Sequence, residues 1–389
     1  MEFSADEGYL PEAAGQSLAD DRGPKTGDRR PTTENTFCSA AVNGCRSTVV
    51  GRRKRALLIG LLLLTINGST PPTASASMPL TIKFATLAPE GTTWMLVLRE
   101  MDAEIQQRTG GRIRFVFYPG GVGGDEIDVL RKIRIGQLHG GAFSGVGLGS
   151  VLPSVRVLEL PMLFRDTGEV DFVTGRLEAQ FSRAFAKRGF ILLAFAEAGF
   201  VHIFSKKAIH RREDLGGVKI WAWQGDPLAA ALLQTYQVAP IPLALPEVLP
   251  SLQTGLINAF YAPPLAAIAF QWFSQVSYIS AEGLTHAIGS MLISRSRWAA
   301  IPADLQKTLK EVTKKYAQKV VAKTRQENQE ALVVLARHGI KTVDLDPGER
   351  RRFLDVSRQV WDGQAGRLYP RALLDKVQSL LRQYRGDRP

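Results

Sequence analysis

Apolar positions alternate along the first predicted strand and then recur every three or four residues along a predicted helix. Leu80–Ala85 alternates as a half-buried strand does, and residues 91–109 carry apolar side chains at helical spacing. The same succession follows at Ile113–Tyr118 and at residues 125–135. A strand–helix–strand–helix order favours a parallel sheet joined by right-handed crossovers. The chain is therefore predicted to be an α/β protein.

Later segments continue this alternation of strands and helices, without an internal repeat. Short apolar runs rich in β-branched and aromatic residues predict further strands at residues 190–195, 201–205, 218–222 and 256–261. Amphipathic spacing predicts helices at residues 227–235, 245–254 and 304–337. The last of these is long, and Pro302 and Gly339 are residue types typical of its two ends.

The pattern of the amino-terminal segment is typical of a leader sequence rather than of a folded domain. A basic cluster at residues 52–55 precedes an apolar run at 56–66, and small residues follow up to Ala76. This order predicts a cleavable signal peptide over residues 51–76 and export to the periplasm, with an uncut signal anchor as the alternative. Residues 1–50 lack hydrophobic periodicity, so they are predicted to be disordered, and a true translation start near residue 50 would explain them.

Composition sets the size of the protein and limits its chemistry. The chain has 389 residues, of which 45% are hydrophobic and 22% charged, enough for two domains with a buried core. Its net charge of +12 permits an acidic partner but does not specify one. The two cysteines, Cys38 and Cys45, both precede the predicted cleavage site. A processed chain would therefore lack a disulfide framework and a cysteine nucleophile.

Motifs for catalysis or cofactor binding are incomplete. The glycine-rich segments 120–124 and 145–149 do not complete a phosphate-binding fingerprint, so both are interpreted as tight turns. Ser144 lacks the flanking glycines of a nucleophile elbow, and no two histidines have metal-ligand spacing. The basic runs have no interleaved aromatics. No enzyme activity, cofactor, metal or nucleic-acid partner is predicted.

Aromatic residues cluster at the ends of two predicted strands. Trp221 and Trp223 are two positions apart and should face the same side, while Phe260 and Tyr261 end another strand. Ligands of open α/β sheets bind at the carboxyl ends of strands, so these residues could line a pocket. Ordinary core packing is an equally good interpretation of the pattern.

Seven short motifs occur in order along most of the chain after the leader. They are RTGGR at 108–112, YPGGVGGD at 118–125, GQL at 136–138, LELPMLFR at 158–165, AGF at 198–200, DLGGVKI at 214–220, and Glu247 with QTG at 253–255. Together they resemble the solute receptors of tripartite ATP-independent periplasmic (TRAP) transporters, the DctP-like family.

The resemblance implies two α/β lobes joined by crossing strands and a long helix, with a small-molecule ligand bound between them. It further implies delivery to membrane permease subunits, allows an accessory periplasmic protein, and assigns no chemistry to the receptor. Lobe 1 would comprise residues 77–198 with part of 287–345, and lobe 2 residues 199–286. Residues 287–386 would supply the crossing strand, the long helix and the carboxyl-terminal helices.

The chain departs from the family pattern where the family binds its substrate. Trp221 stands where the resemblance implies a carboxylate-binding arginine, Val201 where it implies a second one, and residues 260–262 where it implies a polar stretch. Neither Trp nor Val can replace the bidentate hydrogen bonds of a guanidinium. A hydrophobic or aromatic ligand is therefore expected. The predicted ligand-binding residues are Trp221, Trp223, Gln224, Phe260, Tyr261, Val201, Ala262, Ser144 and Asp125.

Three alternatives remain open, one of them an enzyme such as a hydrolase, for which the sequence offers no convincing pair of nucleophile and base. Another arginine, such as Arg165, could take the carboxylate of an organic acid, which would restore the substrate class that the resemblance implies. The protein could also act without a permease, as a periplasmic sensor or lipid carrier, on the same fold.

Overall fold

A computed structural model describes residues 78–386 of the chain. The predicted signal peptide, the segment before it and both cysteines lie outside these residues. Within the described range, every helix is too short or too polar to cross a bilayer.

The strands form one large mixed sheet and one small parallel pair. The large sheet has the order β10-β8-β4-β9-β3-β1-β2, with β7 also paired to β4, and β5 pairs with β6. The bounds are β1 Leu80–Ala85, β2 Ile113–Tyr118, β3 Gly140–Ser144, β4 Phe190–Ser205, β5 Trp221–Trp223, β6 Ile241–Leu243, β7 Ala259–Ala262, β8 Tyr278–Ser280, β9 Thr285–Ser294 and β10 Lys341–Val343.

The parallel opening predicted from the sequence is confirmed, because β1 pairs in parallel with both β2 and β3. The sheet becomes mixed at β9, which runs antiparallel to β3 and β4. The segments 190–195 and 201–205, predicted as two strands, are one continuous strand with register shifts at 192/194 and 197/199. Glycine and polar residues in the middle of β4 hide this continuity in the sequence, while the long partner β9 enforces it.

Helices cover the sheet and connect its two ends, giving the α/β two-lobed architecture that the sequence predicts. Strand β4 pairs with β9 over most of its length and with β7 and β8 at its carboxyl end. The helices are α1 Thr93–Arg108, α2 Glu126–Arg134, α3 Gly145–Val151, α4 Thr167–Lys187, α5 Pro227–Thr235, α6 Val248–Thr254, α7 Pro264–Ala269, α8 Arg295–Ala299, α9 Ala303–Arg337, α10 Pro347–Gln364 and α11 Arg371–Gly386. The proposed residue bounds of the lobes stay a prediction.

The long helix α9 packs against α1, β4 and α7. Its buried residues include Leu305, Leu309 and Val312, which follow the predicted steps of three and four. On one side they join Ile82 and Met101 in a single apolar cluster. Burial of this stripe, rather than helix propensity, is what stabilises so long a helix.

Candidate functional site

A cavity of about 320 Å³ lies between the β3–α3 segment and the ends of β5 and β7, with β4, β9 and α9 completing its walls. Most of the lining side chains are apolar. Arg156 is the only basic side chain among the described residues that line it. Four carboxylates also belong to the lining, those of Glu126, Glu159, Glu197 and Asp226. A concave, mostly apolar cavity with a few polar groups is typical of a small-molecule site.

Trp221 forms the centre of an aromatic wall and is 2% exposed. Its ring stacks on Tyr261 at 5.0 Å between centroids and meets Trp272 edge-on at 5.3 Å. The indole Nε1–H donates to the carbonyl oxygen of Leu243 at 3.0 Å. Since this is the one donor of the side chain, Trp221 presents only apolar ring surface to the cavity.

Trp223 connects this wall to the start of α2. Its indole Nε1–H donates to Asp125 Oδ2 at 2.9 Å, and its backbone N–H donates to the Tyr261 hydroxyl at 3.1 Å. The other oxygen of Asp125 accepts from the backbone N–H of Glu126 at 2.7 Å as part of the helix cap. Burial raises the pKa of Tyr261 far above its usual value, so the phenol stays protonated.

Six of the nine predicted ligand-binding residues line the cavity: Ser144, Val201, Trp221, Trp223, Tyr261 and Ala262. Phe260 does not, because it is fully buried and stacks on Phe204 at 4.8 Å inside the core. Gln224 follows the last residue of β5 and is exposed. Asp125 is not in the lining but accepts a hydrogen bond from Trp223, which is. Whether the six bind a ligand remains a prediction.

Arg156, which the sequence pattern does not single out, is the buried cation of the site at 5% exposure. Its Nη2 donates to both oxygens of Asp226, at 2.8 and 3.0 Å, and its Nε lies 3.1 Å from Glu159 Oε2. Burial alone would lower the pKa of Arg156, but the two carboxylates raise it above its usual value. The guanidinium is therefore fixed and permanently charged.

A weak sequence signal does mark Arg156. It is the one basic residue in the mostly apolar segment Pro153–Glu159, and an arginine is seldom buried unless it is paired. Its partner Asp226 is 70 residues away, which local patterns cannot reveal. Arg165, the alternative named from the sequence, is exposed and does not line the cavity.

Glu126 is a second buried charge with an unusual environment. Its carboxylate accepts hydrogen bonds from the backbone N–H of Ser144 at 2.6 Å, the Ser144 hydroxyl at 2.8 Å and the backbone N–H of Gly147 at 2.7 Å. Burial outweighs these donors and raises the pKa of Glu126 to about 7. Glu126 therefore changes charge near neutral pH.

The glycines of segment 145–149 make room for these charged groups. The segment is helix α3, not the tight turn expected from its composition. A Cβ on Gly145 would overlap the carboxylate of Glu159. One on Gly147 would lie 2.6 Å from Glu126 Oε2, and one on Gly149 2.9 Å from the stem of Arg156. The three alternate glycines thus allow three buried charged side chains to pack against one short helix.

Glu197 lies in β4 beside a register shift and is 6% exposed. Both of its oxygens accept from Arg325 on α9, at 2.7 and 2.8 Å. Arg325 also donates to Asp171, and His286 Nε2 lies 3.3 Å from Glu197 Oε2. Burial would raise the pKa of Glu197, but Arg325 and His286 lower it to about 2. This ion pair ties the middle of β4 to the long helix.

A comparison with protein families decides the identity of the fold. Residues 84–367 match the family described as bacterial extracellular solute-binding protein, family 7, or DctP. The chain belongs to this family. It is accordingly a solute-binding protein and not an enzyme, as predicted from the sequence.

Among the relatives of this family 7 member is the 2,3-diketo-L-gulonate-binding periplasmic protein YiaO of Escherichia coli. The two are 24% identical over 277 residues, which is 69% of this chain and 81% of YiaO. TRAP periplasmic solute-binding proteins are also among the similar solved structures. That from Citrobacter koseri, with bound D-glucuronate, has a TM-score of 0.71 at 23% identity and covers 77% of this chain and 98% of its own. That from Desulfovibrio salexigens, with bound orotic acid, has a TM-score of 0.72 at 17% identity over 79% and 99%. At this identity the structures establish the shared two-lobed fold.

Proposed function

We propose that this protein is the extracytoplasmic receptor of a TRAP-type transporter and that it binds a small organic acid in the cavity for delivery to the membrane permease. The family and the fold support the receptor role. The structural relatives named above hold D-glucuronate and orotic acid, both carboxylic acids. These ligands favour the organic-acid alternative over the hydrophobic ligand that the loss of an arginine at position 221 led us to expect.

Hydrogen-bonding capacity in the cavity wall supports an acid. The oxygens of Glu126 and Asp226 already accept protein donors, and Glu159 accepts from the backbone N–H of Ile288 at 2.9 Å. In contrast, Arg156 Nε and the Ser290 hydroxyl are buried without a hydrogen-bond partner among the described residues. Buried donors without acceptors are costly, and a ligand that brings acceptor oxygens satisfies them.

The remaining residues of the cavity wall favour a particular shape and polarity in the uncharged part of the ligand. Trp221, Trp223 and Tyr261 present stacked ring surface on one side of the cavity. Burial of apolar ligand surface against such rings contributes about 25 cal/mol per Å². The observation that carries the proposal is a single buried guanidinium in an otherwise mainly apolar cavity. It points to an acid with a flat or apolar body.

Calorimetry on the purified protein with matched ligand pairs tests this proposal. The pairs are orotate with uracil, benzoate with benzamide, and D-glucuronate with D-glucose, each differing by the carboxylate. We expect at least one acid to bind, and its uncharged partner to bind about 100-fold more weakly, because the carboxylate accepts charge-assisted hydrogen bonds. Binding of uncharged aromatic or lipid-like molecules with no binding of any acid would reject it in favour of a hydrophobic cargo or a lipid carrier.

Acid binding is expected to weaken several-fold from about pH 6 to pH 8. Glu126 ionises near pH 7 and adds negative charge to a wall that already holds Glu159, Glu197 and Asp226, with Arg156 as the lone cation. A bound carboxylate favours neutral Glu126, so binding takes up protons and strengthens as pH falls. Calorimetry across this range measures the slope.

Glu126→Gln keeps the shape of the side chain and removes the titration. The variant should bind acid with little dependence on pH over the same range. An equal slope in the variant and the wild-type protein would assign the effect to another group.

A further inference from the structure

Two glycines of α3 leave the space that the side chains of Arg156 and its neighbour Glu159 occupy beside the cavity. Its aliphatic stem lies against Gly149 of α3, where any Cβ would come within 2.9 Å. Its nearest neighbour in the same turn, Glu159, occupies the space above Gly145. The surrounding backbone therefore accommodates a buried arginine together with its counter-ion at this position.

The guanidinium is only partly used by the protein. Both hydrogen bonds to Asp226 come from the same nitrogen, Nη2. Nε is buried and, although it lies 3.1 Å from Glu159, makes no hydrogen bond of acceptable geometry. A guanidinium has five N–H donors, so Asp226 fixes its orientation and leaves donors for a further acceptor.

The aromatic wall offers no competing anion site. Trp221 has its one donor engaged by Leu243, and its neighbour Trp223 has its indole donor engaged by Asp125. No second basic side chain lines the cavity within residues 78–386. The cation that an acid requires can therefore come from the turn Pro153–Glu159 alone.

We infer that Arg156 binds the carboxylate of the ligand while Asp226, at the start of α5, holds its guanidinium in place. This assignment rests on the proposed function and names the residue that performs the recognition. Asp226 caps α5 by accepting from the backbone N–H groups of Leu228 and Ala229, so the counter-ion is itself fixed. The anion site is thus supplied by Arg156 and not by the residue at position 221.

The charges around Arg156 also limit the ligand class. Arg156, Asp226 and Glu159 sum to one negative charge when all three are ionised. A second carboxylate on the ligand would enter a negative, weakly solvated cavity without a cation to receive it. Monocarboxylates are therefore preferred over dicarboxylates such as succinate.

Paired neutral substitutions test the assignment. Arg156→Gln alone would leave two buried carboxylates without their cation, so the main variant adds Asp226→Asn, which keeps the net charge of the group at one negative charge. We expect its affinity for the acid of the matched pairs to fall about 100-fold, while binding of the uncharged partner changes little. Arg165→Gln, at an exposed arginine outside the cavity, is the control and should bind as the wild-type protein does.

The outcomes separate the two proposals. Acid binding within threefold of wild type in the folded double variant would overturn the role of Arg156 and leave the receptor proposal intact. No acid binding to the wild-type protein would overturn both. If circular dichroism shows the double variant unfolded, Arg156→Lys decides, since it keeps the charge and loses the planar fork. A loss of about 10-fold supports the assignment, and unchanged affinity rejects it. Succinate binding as tightly as the monocarboxylates would contradict the inferred ligand class.

Discussion

Gly145→Ala is expected to destabilise the protein by about 3 kcal/mol or more. The new methyl group would overlap the carboxylate of Glu159, which is 6% exposed and cannot swing into solvent. Moving it would break its hydrogen bond from Ile288 and separate it from Arg156. Gly145 does not have a positive φ, so the missing space, and not backbone conformation, causes the loss.

Urea denaturation followed by far-ultraviolet circular dichroism measures this effect. Gly175→Ala is the matched control, because Gly175 also lies in a helix but a Cβ there meets nothing within 4 Å. The control should be neutral or more stable by up to about 1 kcal/mol, since alanine has the higher helix propensity. A free energy of unfolding for Gly145→Ala within 1 kcal/mol of wild type would show that Glu159 is not held as tightly as its contacts imply.

Local periodicity was sufficient for the opening of the fold and for its longest helix. Strand β1, helix α1 and strand β2 follow from alternation and helical spacing, because each buries one face against the same sheet. Helix α9 follows from its apolar stripe for the same reason. The family motifs then gave the two-lobed architecture, which periodicity alone does not specify.

Features that depend on distant partners could not be predicted in this way. Segment 145–149 has the composition of a turn, and it is helical because its glycines admit side chains from residues 126, 156 and 159. Arg156 is buried because of Asp226, 70 residues further along the chain. The sequence does not distinguish Phe260 from an aromatic residue that lines the pocket. Only its stacking on Phe204 in the structure shows that it belongs to the core.

The expected ligand class also depended on a distant residue that local sequence patterns do not reveal. The tryptophan at position 221 correctly indicates an aromatic wall, and Trp221 lies in it. The further step to a ligand without a carboxylate assumed that the lost cation had no replacement. We propose that Arg156 supplies this cation, from a position in the cavity lining where the motifs give no reason to look for one.

Arg325→Met is expected to cost about 3 kcal/mol of stability at neutral pH. It would leave Glu197 buried in β4 without the cation that binds both of its oxygens. Arg325 is partly exposed, so water screens part of the interaction. The expected loss of stability is therefore at the lower end of the range for broken buried ion pairs. Asp171 is exposed and should contribute little. Chemical denaturation at pH 7 measures the loss.

The pH dependence separates this ion pair from a general packing effect. The pKa of Glu197 is lowered to about 2 in the folded state, against 4.5 as its ordinary value. Its contribution is therefore fully present above about pH 4.5 and is lost as pH falls toward 2, on the order of 3 kcal/mol in all. The variant lacks this contribution, so the gap between variant and wild-type stability should close between pH 4.5 and pH 2.

Arg371→Met provides the control, because Arg371 and its partner Asp362 are both exposed and solvent screens a surface pair. It should track the wild-type protein at every pH. A gap for Arg325→Met that stays constant down to pH 2 would mean that the arginine acts through the packing of its stem on β4. A gap that closes shows that charge holds α9 to β4 beside the register shift in the pairing of β4 with β9. Glu197 belongs to the cavity lining, so the same ion pair also neutralises one carboxylate of the wall.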